Sequence, residues 1–220
     1  MAAIEGGDPH RLAHVRWLGG GSGAAKSTVA RELARRHGVD VLDTDASMGA
    51  HAARLSPRQA PLLHRFVAQS MDERWVRRDP REMLQTFHWF AGEGFDLVVD
   101  DLLARPADRI VVVEGFRLLP RLVLPLLSHR EHAVWLLPTP EFRRRAFSRR
   151  GSDGDIAGRT NDPPRALANL LARDALFTAR LADELEHRAP WAALAVDGSR
   201  TLDDLVAQVA GRFGLSPPGP

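Results

Sequence analysis

The sequence GGGSGAAKST, residues 19–28, decides the fold of this 220-residue chain. It joins a short apolar run, HVRWL (residues 14–18), to an amphipathic stretch, STVARELARRHG (residues 27–38). The apolar run predicts a buried strand, and the amphipathic stretch predicts a helix that ends at Gly38. A glycine-rich loop between such a strand and such a helix is typical of a loop that binds phosphate groups.

The use of lysine supports this interpretation. Lys26 is the only lysine among 30 Lys and Arg residues, so the composition keeps lysine only inside the glycine-rich loop. In a loop of the form G-x-x-x-x-G-K-[ST], backbone N–H groups surround the phosphates, the lysine reaches their oxygens and the hydroxyl binds Mg²⁺. Ser27 is therefore a predicted metal ligand. The residues expected to contact a nucleotide are Gly21, Ser22, Gly23, Ala24, Ala25, Lys26, Ser27 and Thr28.

One position departs from that form. Ala25 stands where the second glycine is expected. Alanine fits there if its backbone φ is negative, and it is strained there if φ is positive. The alternative interpretation of the whole stretch is a glycine-rich turn that binds nothing.

Length and composition predict one soluble α/β domain over residues 1–220. No run of 18 apolar residues and no apolar leader is present, so we expect a soluble, unexported chain with no membrane partner. Nucleotide chemistry at the loop suggests a cytoplasmic protein. The sequence pI of 10.2 accompanies a formal net charge of only +2. Because the chain has no Tyr, no Cys and one Lys, that pI indicates few titrating groups, and we expect no nucleic-acid partner. The oligomeric state stays open.

The rest of the chain alternates apolar runs with helical stretches. Further strands are predicted at residues 39–43, 109–115, 132–138 and 191–198, and helices at 57–105, 140–150, 163–188 and 201–213. This alternation predicts a five-stranded parallel sheet with helices on both faces. A helical acceptor-binding insert is expected at about 46–105, a lid at about 140–165 and a disordered tail at about 215–220.

The run FDLVVDDLL, residues 95–103, fits either a strand or a helix. Too few residues separate it from the next predicted strand for a parallel crossover, which needs about a dozen. We therefore predict the end of a helix, with Asp100 and Asp101 in solvent.

Acidic residues follow two of the predicted strands. Asp43 and Asp45 lie at the end of the second strand, and Glu114 ends the run of three valines. We expect Glu114 and Asp43 to bind Mg²⁺ beside the loop hydroxyl, and Asp45 to orient a substrate hydroxyl as a base. The alternatives are a loop or capping role for Glu114 and capping of a helix by Asp45.

Arginines are concentrated in EFRRRAFSRRG, residues 141–151, before a loop with three glycines. Arg145 and Arg149 are four residues apart on one helix face, where both are predicted to reach a transferring phosphoryl group. Arg173, on the following helix, is expected to add a contact. The alternative is a solvated helix face, since arginine is abundant throughout the chain.

Taken in order, GGGSGAAKST, VLDTDAS, VVVEG, the arginine-bearing helix and AVDGS resemble the P-loop small-molecule kinases, the group of nucleoside monophosphate, shikimate and gluconate kinases and chloramphenicol phosphotransferase. The resemblance implies phosphoryl transfer from ATP, with Mg²⁺, to a small molecule such as a nucleoside, a nucleotide or another hydroxyl-bearing metabolite. It also implies that Asp197 and Gly198 lie near adenine. An antibiotic acceptor and a non-catalytic ATP-binding regulator are the alternatives. A GTPase is excluded because its N-K-x-D motif needs a second lysine.

Overall fold

The structure is a computed structural model, which describes residues 9–148 and 156–215. The strands are β1 (Val15–Gly20), β2 (Asp40–Asp43), β3 (Val111–Glu114), β4 (Ala133–Pro138) and β5 (Ala193–Val196). They form one sheet in the order β2-β3-β1-β4-β5. Every neighbouring pair is parallel. The predicted five-stranded parallel sheet is confirmed.

Both faces of the sheet are buried, as the apolar runs predict. In β3, Val111 and Val113 pack into one hydrophobic cluster, and Val112 packs into another on the opposite face. This alternation follows from the two-residue period of a strand. All three valines are at most 1% exposed. Full burial of each such side chain contributes about 1.5–3 kcal/mol to the free energy of unfolding.

Helices cover the two faces. On one side lie α1 (Lys26–His37) and α11 (Leu202–Arg212), and on the other lie α7 (Phe95–Leu103) and α10 (Pro163–Arg188). The first helix ends at Gly38, whose φ of 66° allows its N–H to bond the Ala34 carbonyl. This is the left-handed helix end that glycine favours.

The insert is built of short helices, which corrects the expectation of one long helical region at 57–105. They are α2 (Met48–Arg54), α3 (Pro61–Ala68), α4 (Met71–Trp75), α5 (Pro80–Thr86), α6 (His88–Ala91) and α7. New helices begin at Pro61 and Pro80 because proline fits the first turn of a helix but not its interior. Ser70 starts α4 with a capping box.

The run at 95–103 is helical, as predicted. Asp100 is exposed, but Asp101 is not simply solvated, because one of its oxygens lies 2.7 Å from Nε2 of the buried His51.

The remaining helices are α8 (Pro120–Val123), between β3 and β4, and α9 (Pro140–Ser148), after β4. At the end of the chain, Leu215 packs against the second hydrophobic cluster, and residues 216–220 of the predicted tail lie outside the described residues. Within the described part of the chain, no helix is both long and apolar enough to cross a bilayer.

Candidate nucleotide-binding site

The glycine-rich loop runs from the end of β1 to the start of α1, at the carboxyl edge of the sheet. A Cβ on Gly20 would lie 2.1 Å from the Leu136 carbonyl oxygen, and one on Gly21 would lie 2.5 Å from Thr178 Oγ1. The Gly21 N–H donates to the same Leu136 oxygen at 3.1 Å. Glycine is therefore required at both positions because the loop is held against β4 and α10.

Ala25 adopts the strained conformation that the sequence left open. Its φ of 64° and ψ of 18° are left-handed. Among the residues that the structure describes, it is the only one other than glycine with a positive φ. For alanine this conformation costs about 1–2 kcal/mol. The loop thus has the left-handed backbone that glycine would adopt freely at this position, although the residue is alanine.

Beyond Ala25, helix α1 presents its N-terminus to the loop. No side chain caps that end, so its first N–H groups are available to an anion. Lys26 is 7% exposed, and its Nζ donates to the Gly21 carbonyl at 3.0 Å. Ser27 is exposed, whereas Gly23 and Ala24 are buried. Uncapped amides, the helix dipole and a lysine ammonium together favour a phosphate group here.

Two of the predicted acids meet beside this helix. Glu114 and Asp43 are register partners on adjacent strands, and the Glu114 side chain accepts a hydrogen bond from Ser27. Burial raises the pKa of Glu114, against the opposing effects of Ser27 and Lys26, and Asp43 and Asp45 raise it further. A cation at this point would stabilise the charged carboxylate. Asp43 Oδ1 accepts the N–H groups of Asp45 at 2.8 Å and of Ala46 at 3.3 Å.

Ser27, Glu114 and Asp43 suit a cation that a nucleotide helps to bind. In the described ranges there is no group of three or more His, Asp or Glu side chains that could hold a metal by themselves. Mg²⁺ typically takes one or two carboxylates and completes its coordination with phosphate oxygens and water. The donor set therefore fits Mg²⁺ with a nucleotide better than Mg²⁺ alone.

Asp45 lies exposed on the turn after β2. Helix α2 begins at Met48, its N-cap Ser47 makes no side-chain cap bond, and the Met48 N–H donates to the Asp45 backbone carbonyl at 3.3 Å. The turn packs closely on β3, because a Cβ on Gly115 would lie 1.8 Å from Thr44 Oγ1 and 3.4 Å from Asp45 Oδ1. This packing brings the Asp45 carboxylate to the same edge as Glu114.

The arginines of α9 divide between two places. Arg145 donates to the Asp197 carbonyl at 3.0 Å, at the loop after β5, and so does not point at the phosphate loop. Arg143, which the sequence interpretation missed, is 2% exposed and donates to the Ser22 carbonyl at 3.3 Å. Arg149 lies outside the described residues. The face of α9 that meets the phosphate loop is therefore set by Arg143, not by Arg145.

Arg173 is buried on α10, where it pairs with Asp174 at 2.7 and 2.9 Å. Its guanidinium is surrounded by the rings of Trp75, Phe87 and Phe90, with its carbon 4.8–5.2 Å from their centroids. These contacts join α10 to the insert, and they do not involve the phosphate loop.

The loop after β5 is exposed and ordered by its own polar groups. Asp197 Oδ1 accepts the Ser199 N–H at 2.8 Å and hydroxyl at 2.6 Å, and these bonds lower the pKa of Asp197. Gly198 has a φ of 90°, and a Cβ there would lie 2.9 Å from Arg145 Nη2. The structure thus brings Asp197 and Gly198 beside Phe142 and Arg145 of α9.

Sequence reasoning also missed Arg117 and His51. Arg117 is 2% exposed, and burial lowers its pKa to about 10, although Asp45, Asp101 and Asp96 act in the opposite direction. The one signal in the sequence is its position, three residues after Glu114, which places it at the same edge of the sheet. Nothing in the sequence pattern indicates His51.

The sheet order, the loop geometry and the uncapped helix define a P-loop nucleotide-binding protein of the NTPase type. A family model described as an AAA domain, AAA_33, matches residues 15–157, and the chain belongs to this kinase-like P-loop family. A crystal structure of an uncharacterized protein from Eubacterium ventriosum ATCC 27560 is similar at 11% identity and a TM-score of 0.47, over 91% of this chain and 97% of that one. No curated protein matches the chain.

Proposed function

We propose that the protein is an ATP-dependent phosphotransferase that moves the γ-phosphoryl group to a hydroxyl of a small molecule. The observation that carries this proposal is the grouping of an anion site with acids at one edge of the sheet. The anion site is the uncapped start of α1 with the buried Lys26. Beside it lie Glu114, which Ser27 bonds, and the exposed Asp45.

The chemistry of the loop supports ATP and Mg²⁺ as the cofactors. The amides at the start of α1 and Lys26 would hold the phosphates, and Ser27, Glu114 and Asp43 would hold the metal. When bound, Mg²⁺ supplies charge neutralisation to the phosphoryl group. Lys26 stabilises negative charge on the transferring group. Arg143 fixes the loop through the Ser22 carbonyl, so that the amides keep their direction.

Asp45 supports transfer to an acceptor over nucleotide binding alone. An exposed carboxylate beside the phosphate loop can accept the proton of a substrate hydroxyl and orient its oxygen. The insert at 46–105 then supplies the acceptor pocket, and the segment at 140–165, of which residues 149–155 lie outside the described residues, supplies the lid. The proposed acceptor is a nucleoside, a nucleotide or another hydroxyl-bearing metabolite, and we propose that the enzyme acts in the cytoplasm.

The test is a screen for ADP release with ATP, Mg²⁺ and candidate acceptors: nucleosides, nucleotides, sugars, aminoglycosides and chloramphenicol-like compounds. Lys26→Ala should abolish turnover with every acceptor. Arg35→Ala, which removes one positive charge from the exposed face of the same helix, is the matched control and should retain full activity. Asp45→Asn should lower kcat about a hundredfold or more while the affinity for ATP stays unchanged.

Three outcomes would change the proposal. Release of ADP with an aminoglycoside or chloramphenicol-like compound would identify an antibiotic-modifying enzyme. Tight ATP binding by calorimetry without acceptor-dependent ADP release from the wild-type protein would identify a non-catalytic regulator. An Asp45→Asn protein with the wild-type kcat would remove Asp45 from the mechanism.

A further inference from the structure

A buried chain of polar side chains lies behind the turn that carries Asp45. His51, on α2, is 2% exposed, and its two ring nitrogens bridge two partners. Nε2 lies 2.7 Å from Asp101 Oδ2 on α7, and Nδ1 lies 3.0 Å from Arg117 Nη1 after β3. The imidazole thus joins a partly exposed carboxylate to a fully buried guanidinium.

The chemistry of Arg117 determines the protonation of this imidazole. A guanidinium has only donors, so it can bond Nδ1 only if that nitrogen is unprotonated and accepts. Nε2 then carries the ring hydrogen and donates a hydrogen bond to the Asp101 carboxylate. The contacts with Arg117 and with Asp101 therefore favour the same tautomer of His51.

Arg117 in turn holds the turn after β2. Its Nη1 also donates to the Thr44 carbonyl at 3.3 Å, and its Nη2 donates to the Gly94 carbonyl at 3.0 Å. Its guanidinium carbon lies 4.0 Å from the centre of the Trp89 ring. Burial disfavours this cation, and Asp45 is the strongest of the groups that stabilise its charge. The position of Asp45 is thus coupled to Arg117 through the backbone of Thr44 and through charge.

We propose that His51 is a positioning residue for Asp45 and acts through Arg117. Its Nδ1 holds the guanidinium against the Thr44 carbonyl, and its Nε2 bond to Asp101 keeps Nδ1 free to accept. This inference rests on the proposed function, because it assigns His51 to the phosphoryl-transfer step. His51 itself touches no substrate.

Two substitutions separate the two bonds of the imidazole. The Oδ1 of asparagine occupies the place of histidine Nδ1, so His51→Asn keeps an acceptor for Arg117 and loses the contact with Asp101. The Nε2 of glutamine occupies the place of histidine Nε2, so His51→Gln keeps the donor to Asp101 and loses the acceptor. Each variant deletes one buried bond, so the two should lose similar stability in urea.

The two variants should differ in activity. With the acceptor that the ADP screen identifies, we expect His51→Gln to lower kcat about a hundredfold, as a misplaced reacting group does, with an unchanged KM for ATP. His51→Asn should stay near the wild-type kcat. A merely structural role would make both variants fall together, in proportion to their loss of stability, and this result would overturn the proposal.

Amide hydrogen exchange provides a readout that needs no turnover. The N–H groups of Asp45 and Ala46 are protected by Asp43 Oδ1, so loosening the turn should speed their exchange. We expect faster exchange at both amides in His51→Gln and wild-type rates in His51→Asn. If the wild-type protein releases no ADP with any acceptor, the proposed function fails, and the exchange data still decide the positioning role. Equal exchange in the two variants would refute it.

Discussion

The strained Ala25 gives the sharpest prediction for stability. Its φ of 64° costs alanine about 1–2 kcal/mol relative to a right-handed conformation, and glycine adopts it freely. Glycine also makes the unfolded chain more flexible, which reduces the gain by about 0.5–1 kcal/mol. Ala25→Gly should therefore raise the free energy of unfolding by about 0.5–1 kcal/mol, the difference between these two effects. For a chain of this size, 1 kcal/mol corresponds to about 2–4 °C in Tm.

The assay is urea unfolding of the nucleotide-free protein, followed by circular dichroism. Ala24→Gly is the matched control, because Ala24 is the preceding residue, is 1% exposed and does not have a positive φ. That variant should lose about 1–2 kcal/mol, from added chain flexibility and one lost buried methyl group. If Ala25→Gly were no more stable than the wild type, the strain argument would be wrong.

Three further predictions concern the insert, the phosphate loop and the turn that packs on the end of β3. Burial lowers the pKa of His88 from 6.5 to about 3. As the pH falls below 6.5, the imidazole is protonated in the unfolded chain but not in the folded one, so the free energy of unfolding decreases. Between pH 7 and 5 the loss is about 2 kcal/mol, and His88→Phe should remove it in urea titrations; equal losses in both proteins would contradict the assignment. Arg143→Ala should weaken ATP binding in calorimetry, because the Ser22 carbonyl loses its buried donor, and wild-type affinity would refute that role. Gly115→Ala should fold poorly because a Cβ would lie 1.8 Å from Thr44 Oγ1, and a variant with an unchanged Tm would show that the turn yields easily.

The sheet was predictable because its signals are local. Each strand is a short apolar run next to a turn or a helix, and one motif sets the topology of β1 and α1. The three valines of β3 are buried on both faces, so their run is continuous rather than alternating. The helix at 95–103 was predicted only because too few residues connect it to the next strand for a parallel crossover.

The side-chain partners in the site were not predictable in the same way. Helical spacing puts Arg145 and Arg149 on one face, but it does not say which face of α9 packs on the phosphate loop. The structure turns Arg143 toward that loop because the neighbouring helix α10 presents Thr178 and Asp174 to it. The link between His51 and Arg117 spans 66 residues and depends on how α2 lies against the segment that follows β3, which no local pattern encodes.

The single lysine of the chain, Lys26, has a practical consequence. Since no other side chain in the protein carries a primary amine, an amine-selective acylating reagent has one internal target, and that target sits in the glycine-rich loop with its nitrogen 3.0 Å from the Gly21 carbonyl. Acylation of Lys26 would appear as a single mass shift on its peptide, and a compound bound in the loop would reduce the extent of acylation. Compounds could therefore be ranked by how well they protect Lys26, without any knowledge of the reaction.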